Sequence, residues 1–375
     1  MKFTCQKSDL IEALQIVSRA VAVKPQLPIL SGVYMNAEGS TLELQGNNFS
    51  LGVIAKISAN TEVGGEMVVT GKYLLEIVRK LPGDLVTIFR PDDDPSKCMI
   101  ESGSESGSVS FDLLAMNATD FPKVKTQETF NSFKIKSAEL KKVIRKTAFA
   151  CSSEEVRPIF TGCLFDIEGE NLNIAATNTH RLAVVKGKVF DNGESFKFVI
   201  PASTLRDLMR ILDSADENSN VQVESSHKYI AFTFDNIFMT SRLIEGEFPP
   251  YDRVIPSDRT TTVTANIAEV LAAVDRVSVI SKETEYNTIR FIMSQEGIKI
   301  SSNSPDVGHV EENISATIEG EELDISFNEL YISDVLKAMD GEEFKVYLTE
   351  PLKPADFREV DNDDFIYVVT PVRTN

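Results

Sequence analysis

Phe3-Thr4-Cys5-Gln6-Lys7-Ser8-Asp9-Leu10 opens the chain, and its pattern returns as Phe133-Lys134-Ile135-Lys136-Ser137-Ala138-Glu139-Leu140. A fainter third copy is Thr262-Val263-Thr264-Ala265-Asn266-Ile267-Ala268-Glu269-Val270. Each reads as a short strand running into a helix. Working outward, Leu27-Pro28-Ile29-Leu30-Ser31-Gly32 matches Arg157-Pro158-Ile159-Phe160-Thr161-Gly162, and the turn pair Glu38-Gly39 recurs at Glu168-Gly169 and Glu296-Gly297. Phe121-Pro122 and Phe248-Pro249 close the first two copies. The chain therefore reads as three tandem domains, over 1–124, 130–252 and 256–375.

Within each copy, two segments place apolar residues at three- and four-residue spacings, as in Leu10/Leu14/Val17/Val21, Leu74/Ile77/Val78/Leu81, Leu140/Val143/Ile144, Leu205/Leu208/Met209/Leu212, Val270/Leu271/Val274 and Ile332/Val335/Leu336/Met339. That spacing predicts helices over 7–24, 72–81, 137–147, 203–212, 266–282 and 329–339. Between them the pattern alternates, as in Val109/Phe111/Leu113 and Phe344/Val346/Leu348. Alternation of this kind predicts half-buried, mostly antiparallel strands. The fold class is α+β: three similar domains, each with two helices packed on antiparallel sheet.

Composition narrows the function. The 375 residues include 38 basic and 57 acidic side chains, a net charge of −19, with 42% apolar residues. This is ordinary globular composition, and the length excludes a single small domain. Cys5, Cys98, Cys151 and Cys163 are scattered, so neither a disulfide scaffold nor a zinc site is expected. No apolar run follows the N-terminal charge, so no signal peptide or membrane span is expected and the location expected is cytoplasmic.

Net charge of −19 argues against general affinity for nucleic acid, which rests on local positive charge. The distribution tells a different story. The six predicted helical windows hold 15 basic and 9 acidic residues, so the surplus of six sits on helices and the rest of the chain is strongly acidic. Candidates for a basic face are Lys24, Lys72, Arg79, Lys80, Lys141, Lys142, Arg145, Arg206, Arg210 and Arg276. Aromatic residues do not interleave with them and no helix-turn-helix or zinc-finger pattern occurs, so any contact would be with backbone phosphates, without sequence readout.

Catalytic chemistry is poorly supplied. None of the common phosphate-loop, dinucleotide, serine-hydrolase or zinc-protease signatures occurs. Asp92-Asp93-Asp94 lacks the alternation of a calcium loop and reads as a solvated turn, and Asp361, Asp363 and Asp364 read the same way. Gly103-Ser104-Glu105-Ser106-Gly107-Ser108 reads as a hairpin tip. His180, in Thr177-Asn178-Thr179-His180-Arg181-Leu182, is the one histidine in a suggestive setting, and with Arg181 it is expected to border a pocket. No catalytic residue, metal or cofactor is expected.

Several motifs, spread over nearly the whole chain, carry a specific resemblance. They are Met1-Lys2-Phe3-Thr4, Leu27-Pro28-Ile29-Leu30, Arg79-Lys80-Leu81-Pro82, Asp120-Phe121-Pro122, Ala176-Thr177-Asn178-Thr179-His180-Arg181-Leu182-Ala183-Val184, Glu247-Phe248-Pro249-Pro250-Tyr251-Asp252-Arg253-Val254-Ile255-Pro256 and Tyr367-Val368-Val369-Thr370-Pro371-Val372-Arg373. The chain resembles bacterial DNA polymerase III beta subunits, the sliding clamps.

The resemblance implies the DNA clamp fold and a head-to-tail homodimer, a six-domain ring with helices inside. At about 10 Å per helix, six helices have their axes on a circle about 19 Å across and leave only about 9 Å clear, too narrow for duplex DNA, whereas twelve make a circle of about 38 Å with a bore of about 28 Å. It implies that double-stranded DNA is encircled without regard to sequence, so that topology rather than affinity retains it. It also implies partners that carry short peptide motifs: the polymerase III catalytic subunit, the clamp loader, other polymerases and repair factors.

Carried over residue by residue, the partner pocket comprises Phe160, Thr177, Thr179, His180, Arg181, Leu182, Pro249, Arg253 and Val254, with Pro354, Val368, Thr370, Pro371, Val372 and Arg373 from the third domain. The dimer seam is carried over to Phe111 and Leu113, facing Val279 and Ile280 of the neighbour. Two positions depart from the family: the tail Thr370-Pro371-Val372-Arg373-Thr374-Asn375 is smaller and more polar than the family's usual ending, and Thr179 stands where glycine is common. Without the resemblance, a hydrolase centred on His180 and a scaffold binding only proteins remain as alternatives.

Overall fold

The computed structural model describes residues 1–375 except 105, 106, 127, 194, 374 and 375. The centre of the expected 103–108 hairpin tip and the last two residues of the tail therefore lie outside the described residues. The chain forms two compact units, one of Met1–Ser137, Phe190–Gly193 and Arg210–Leu243, the other of Ala138–Val189, Glu194–Met209 and Ile244–Asn375. The expected second domain contributes segments to both.

Six α-helices occur among the described residues: α1 (Lys7–Val17), α2 (Gly71–Lys80), α3 (Ser137–Arg145), α4 (Ala202–Leu212), α5 (Ile267–Ser281) and α6 (Glu329–Ala338). All six expected helices are present, but α1 stops seven residues short of its predicted end. The Ser18 hydroxyl donates to Leu14 O, a 3-10 turn covers Ser18–Ala20, and Val21 is extended (φ −81°, ψ 128°). Pro25, which disfavours helix in the residue before it, keeps the chain from resuming. Asn side chains cap two of the others, Asn266 accepting from Glu269 N at 3.0 Å and Asn328 from Leu330 N at 2.9 Å.

The first unit holds a 13-stranded sheet. From one edge it runs Asn131–Lys136, Asn220–Ser225, Tyr229–Phe234, Ile237–Arg242, Leu51–Ser58, Thr41–Asn47 and Gly32–Glu38. It continues through Gly65–Thr70, Gly107–Met116, Lys97–Ser104, Leu85–Phe89 and Lys2–Gln6 to Asn60–Val63 at the other edge. α1 packs beside α2 and across Thr41–Asn47 and Leu51–Ser58, burying Leu10, Leu14 and Val17 completely. Each such side chain contributes about 1.5–3 kcal/mol relative to exposure. Helix and sheet meet so closely at Gly46 that a Cβ there would lie 2.2 Å from Val17 O.

The second unit holds two sheets. Nine strands run Phe196–Pro201, Gly162–Glu168, Asn171–Thr177, Arg181–Lys188, Asn362–Val369, Ala355–Glu359, Glu343–Leu348, Thr261–Asn266 and Thr317–Gly320. Four run Gly308–Ile314, Gly297–Ser304, Thr288–Ser294 and Leu323–Asn328, with α5 packed on three of them and on α6. Glu38-Gly39 and Glu168-Gly169 occupy equivalent hairpins, with Gly39 at φ +58° and Gly169 at +60°, a left-handed conformation glycine adopts without steric cost. Among the described residues no helix is long and apolar enough to cross a membrane.

Candidate functional site

Three segments of the second unit converge on a cavity of about 280 Å³. The first is the turn between the strands Asn171–Thr177 and Arg181–Lys188. Its backbone is bound internally: Thr177 Oγ1 donates to Arg181 O at 2.7 Å and accepts from Thr179 N, while Asn178 Oδ1 accepts from His180 N and Arg181 N. These bonds hold Thr179 at φ +77°, where a β-branched residue is strained. Glycine would adopt this conformation without that strain.

The second segment is Phe248 to Val254. Phe248 meets Phe160 edge-on, ring centroids 6.2 Å apart, and packs with Tyr251 against a buried cluster that includes Leu182, Val184, Ile366 and Val368. Burial pushes the Tyr251 hydroxyl up to about 12, reinforced by Asp252 and Asp166, so it remains protonated at neutral pH. The third segment is the end of Asn362–Val369. Its register, Arg181 opposite Val369 and Leu182 opposite Val368, brings Thr370 to the turn, where its N–H and hydroxyl both donate to His180 O, at 2.9 and 3.0 Å.

Of the residues named from sequence, Phe160, Thr177, Thr179, His180, Arg181, Leu182, Pro249, Val254, Pro354, Val368 and Thr370 line this cavity. Arg253, Pro371, Val372 and Arg373 do not. In the 3-10 turn Tyr251–Val254, the first and fourth residues share a face, which takes Tyr251 and Val254 to the cavity and turns Arg253 aside. Past Thr370 the chain is bound elsewhere, Val372 N donating to Ser326 O at 2.8 Å. The cavity also has three walls not singled out from sequence, Phe248, Pro250 and Tyr251. All lie inside a quoted motif, but an irregular Pro-rich stretch carries no periodicity to point them inward.

Arg181 lines the cavity, yet its charge is committed behind it. The guanidinium donates to Asp334 Oδ2 on α6 at 2.7 Å and to Phe149 O, and it stacks 4.5 Å from the Tyr331 ring centroid. The cleft is thus apolar, with polar groups at its mouth, and suits an extended peptide carrying apolar anchors.

The basic surplus carried on the helices themselves is smaller than the predicted windows gave. The six helices hold eleven basic and nine acidic residues, a surplus of two rather than six. Arg19, Lys24, Lys146 and Lys282, counted within the predicted windows, lie beyond the helix ends. Lys24 is exposed on the segment after α1. Lys72, Arg79, Lys80, Arg206 and Arg210 are exposed on α2 and α4. Lys142 lies 3.7 Å from Glu139, Arg145 is paired with Asp340 at 2.7 Å, Arg276 binds Glu312 through two nitrogens, and Lys141 is half-buried. At the expected seam, Phe111, Leu113 and Ile280 are half-buried and Val279 is 67% exposed. Among the described residues no group of three or more His, Cys, Asp or Glu could hold a metal ion.

A strand–helix–sheet unit used three times is the architecture of DNA clamps, and comparison with known proteins agrees. Family models of the DNA polymerase III beta subunit match in order: the N-terminal domain over 1–125, the central domain over 134–250 and the C-terminal domain over 252–373. The beta sliding clamp of Bacillus subtilis is 34% identical and that of Escherichia coli 30% identical, each match covering all of both chains. The crystal structure of the Bacillus subtilis DNA polymerase sliding clamp superposes with a TM-score of 0.91 over all of both chains. A Pseudomonas aeruginosa sliding clamp bound to griselimycin, 29% identical, also gives 0.91 over all of both chains. The chain belongs to the DNA polymerase III beta-subunit family, the beta sliding clamps.

Proposed function

We propose that this protein is a DNA sliding clamp: two copies close head to tail around duplex DNA, slide along it without sequence readout and tether the replicative polymerase. The observation that carries this reading is the match of all three beta-subunit domains, in order, along one chain. It favours this reading over a hydrolase or a protein-only scaffold. The role is processivity, with no catalytic step of its own, exercised in the cytoplasm where the replicated DNA lies. The working division is three clamp domains, over 1–124, 130–252 and 256–375.

Two strand edges support closure. Gly107–Met116 meets its neighbour Gly65–Thr70 only through Ala115 and Met116, which leaves most of that edge unpaired, and Leu114 is 76% exposed. Gly308–Ile314 is the outer strand of the four-stranded sheet. Pairing one edge with the other, from a second copy, extends a sheet across each seam and places Phe111 and Leu113 near Val279 and Ile280.

DNA contact falls to the exposed cations Lys24, Lys72, Arg79, Lys80, Arg206 and Arg210, with Lys141, Lys142, Arg145 and Arg276 engaged in part by the protein. A small surplus of positive charge suffices when topology supplies retention, and weak phosphate contacts permit sliding. The cleft lined by Leu182, Pro249, Val254 and Val368 receives short peptide motifs of the polymerase III catalytic subunit, the clamp loader, other polymerases and repair factors. The test is loading onto closed circular DNA followed by linearisation. Retention on the circle and loss on cutting, with a solution mass of about 83 kDa, twice the chain's 41.5 kDa, are expected; equal dissociation from circle and linear fragment overturns the reading.

A further inference from the structure

The turn that shapes the peptide cleft is built twice. In the first unit, 130 residues earlier, Asn47 Oδ1 accepts from Phe49 N at 2.8 Å and Asn48 Oδ1 accepts from Ser50 N and Leu51 N. Phe49 stands at φ +70°, the counterpart of Thr179 at +77°. Here too a strand lies alongside, Leu51 opposite Ser241 and Gly52 opposite Thr240, the register of Arg181 with Val369 and Leu182 with Val368. The segment after Phe121-Pro122 closes the third side, held by Asn47 Nδ2 donating to Pro122 O at 2.6 Å and Val124 N donating to Gln45 Oε1 at 2.9 Å. These walls enclose about 200 Å³.

The chemistry of this second cleft is different. Where the first has Leu182, Val368 and Thr370, the repeat places Gly52, Thr240 and Arg242; where the first has Pro250 and Asp252, it places Lys123 and Lys125. Val124 lies over Gly52, where a Cβ would come within 3.0 Å of both its methyl groups. Among the described residues that line the cleft there is no carboxylate. Lys123 is paired with Glu66 at 2.8 Å, whereas Lys125 and Arg242 are exposed at the mouth beside the half-exposed ring of Phe49. Through Tyr229 and Thr240 the cleft continues into a further cavity of about 170 Å³, which contains Glu224.

We propose that this cleft is a second peptide site, which takes a short extended segment with acidic side chains at the Lys125–Arg242 end and an apolar side chain against Phe49 and Tyr229. A two-cavity groove with aromatic walls fits a single extended chain better than a duplex, whose phosphates need a broad cationic surface. Glu224 repels an acid from the far cavity and so sets the peptide's direction.

The test is fluorescence anisotropy with the full-length protein and a fluorescein-labelled probe, acetyl-Asp-Glu-Asp-Leu-Gly-Leu. Binding is expected to weaken by about tenfold or more in the double variant Lys125→Glu, Arg242→Glu, to weaken as salt rises, and to persist in Val254→Asp, which alters the first cleft. The neutral pair Lys125→Gln, Arg242→Gln, checked by thermal melting, separates loss of charge from loss of fold and should weaken binding to a smaller extent. Equal binding by the charge-reversed protein, loss in Val254→Asp instead, displacement of the probe by short duplex DNA with the same residue dependence, or no binding by the wild type overturns the proposal. None of these readouts depends on DNA encirclement.

Discussion

Arg181 and Asp334 are 153 residues apart and share an ion pair of 2.7 Å behind the apolar cleft, with the arginine side chain 9% exposed. The pair fixes the turn that carries Thr179 and His180 to α6. Removing the carboxylate with Asp334→Ala leaves a largely buried guanidinium held by Phe149 O and two rings, and should destabilise the protein by about 2 kcal/mol. Urea denaturation measures that loss. Because the turn loses one of its anchors, affinity for a clamp-binding peptide should fall several-fold, whereas an equal loss of stability with unchanged affinity would show that the remaining bonds hold the turn.

A second charged group is buried more deeply. Lys146 is fully buried, bonded to Glu359, 2.8 Å from Asp340 and 5.2 Å from the Phe365 ring centroid. Lys146→Met leaves the buried Glu359 carboxylate without its cation, held by the Asp340 N–H and the Asn362 amide, and should cost about 3 kcal/mol. Adding Glu359→Gln should recover part of the loss, read as a coupling energy in a double-mutant cycle. Burial raises the Asp340 pKa, but Lys146 and Arg145 outweigh it and hold the carboxyl below its usual value. A depressed carboxylate stabilises the fold above its unfolded pKa and loses that contribution as the pH falls through its folded value. The acid limb of the stability profile should therefore be shallower in Lys146→Met.

The strand-to-helix starts at Lys7, Ser137 and Ile267 were legible because the apolar period changes from two to three or four there, a local signal. The end of α1 was not: Leu14, Val17 and Val21 continue the helical spacing, and the 3-10 turn at Ser18 with Pro25 beyond decides otherwise. That one boundary moved Arg19 and Lys24 off the helix and, with Lys146 and Lys282, removed most of the apparent basic surplus. In the cleft, Thr177 to Leu182 could be named because they form one contiguous motif. The inward turn of Arg181 could not, since Asp334 and Tyr331 reach it only through the tertiary fold.

Glu329 begins α6 with its side chain buried and its Oε2 without a hydrogen-bond partner. Burial raises its pKa, against the lowering effect of Lys282 and Lys337 and with a further rise from Asp334 and Asp275. A carboxyl whose folded pKa is raised favours the fold below its unfolded value and loses that contribution as the pH rises through the folded value. Glu329→Gln should therefore match the wild type near pH 4 and become the more stable protein toward pH 7. Thermal melts across that range measure the difference, and a constant gap would reject burial as its cause.

The cysteines should separate sharply in reactivity. Burial pushes the thiols of Cys5 and Cys98 up to about 12, with Asp9 adding to the first. Cys163 is buried and raised by its contact with the sulfur of Cys151, 3.6 Å away, a residue that is itself partly exposed. Thiolate is the reacting species, so iodoacetamide at pH 8 should label Cys151 first. Peptide mass spectrometry should find the other three unmodified until the protein unfolds, and early labelling of Cys5 or Cys98 would contradict their burial.

Thr179 at φ +77° is the residue through which the cleft and its stability are most directly opposed. Left-handed backbone costs a non-glycine residue about 1–2 kcal/mol, and glycine returns part of that through greater freedom in the unfolded chain, about 0.4–1 kcal/mol. Thr179→Gly should therefore leave stability equal or raise it by about 1 kcal/mol, although it deletes a side chain from the cavity wall. The turn itself stays closed, because the bonds from Thr179 N to Thr177 Oγ1 and from His180 N to Asn178 Oδ1 use backbone donors. With the methyl and hydroxyl gone the cleft widens at that wall, so bulkier peptide anchors should gain affinity relative to smaller ones. Isothermal titration of two peptides that differ only in the size of one anchor measures the shift, and an unchanged ratio would place the anchor away from Thr179, against other lining residues such as Pro249 and Val254.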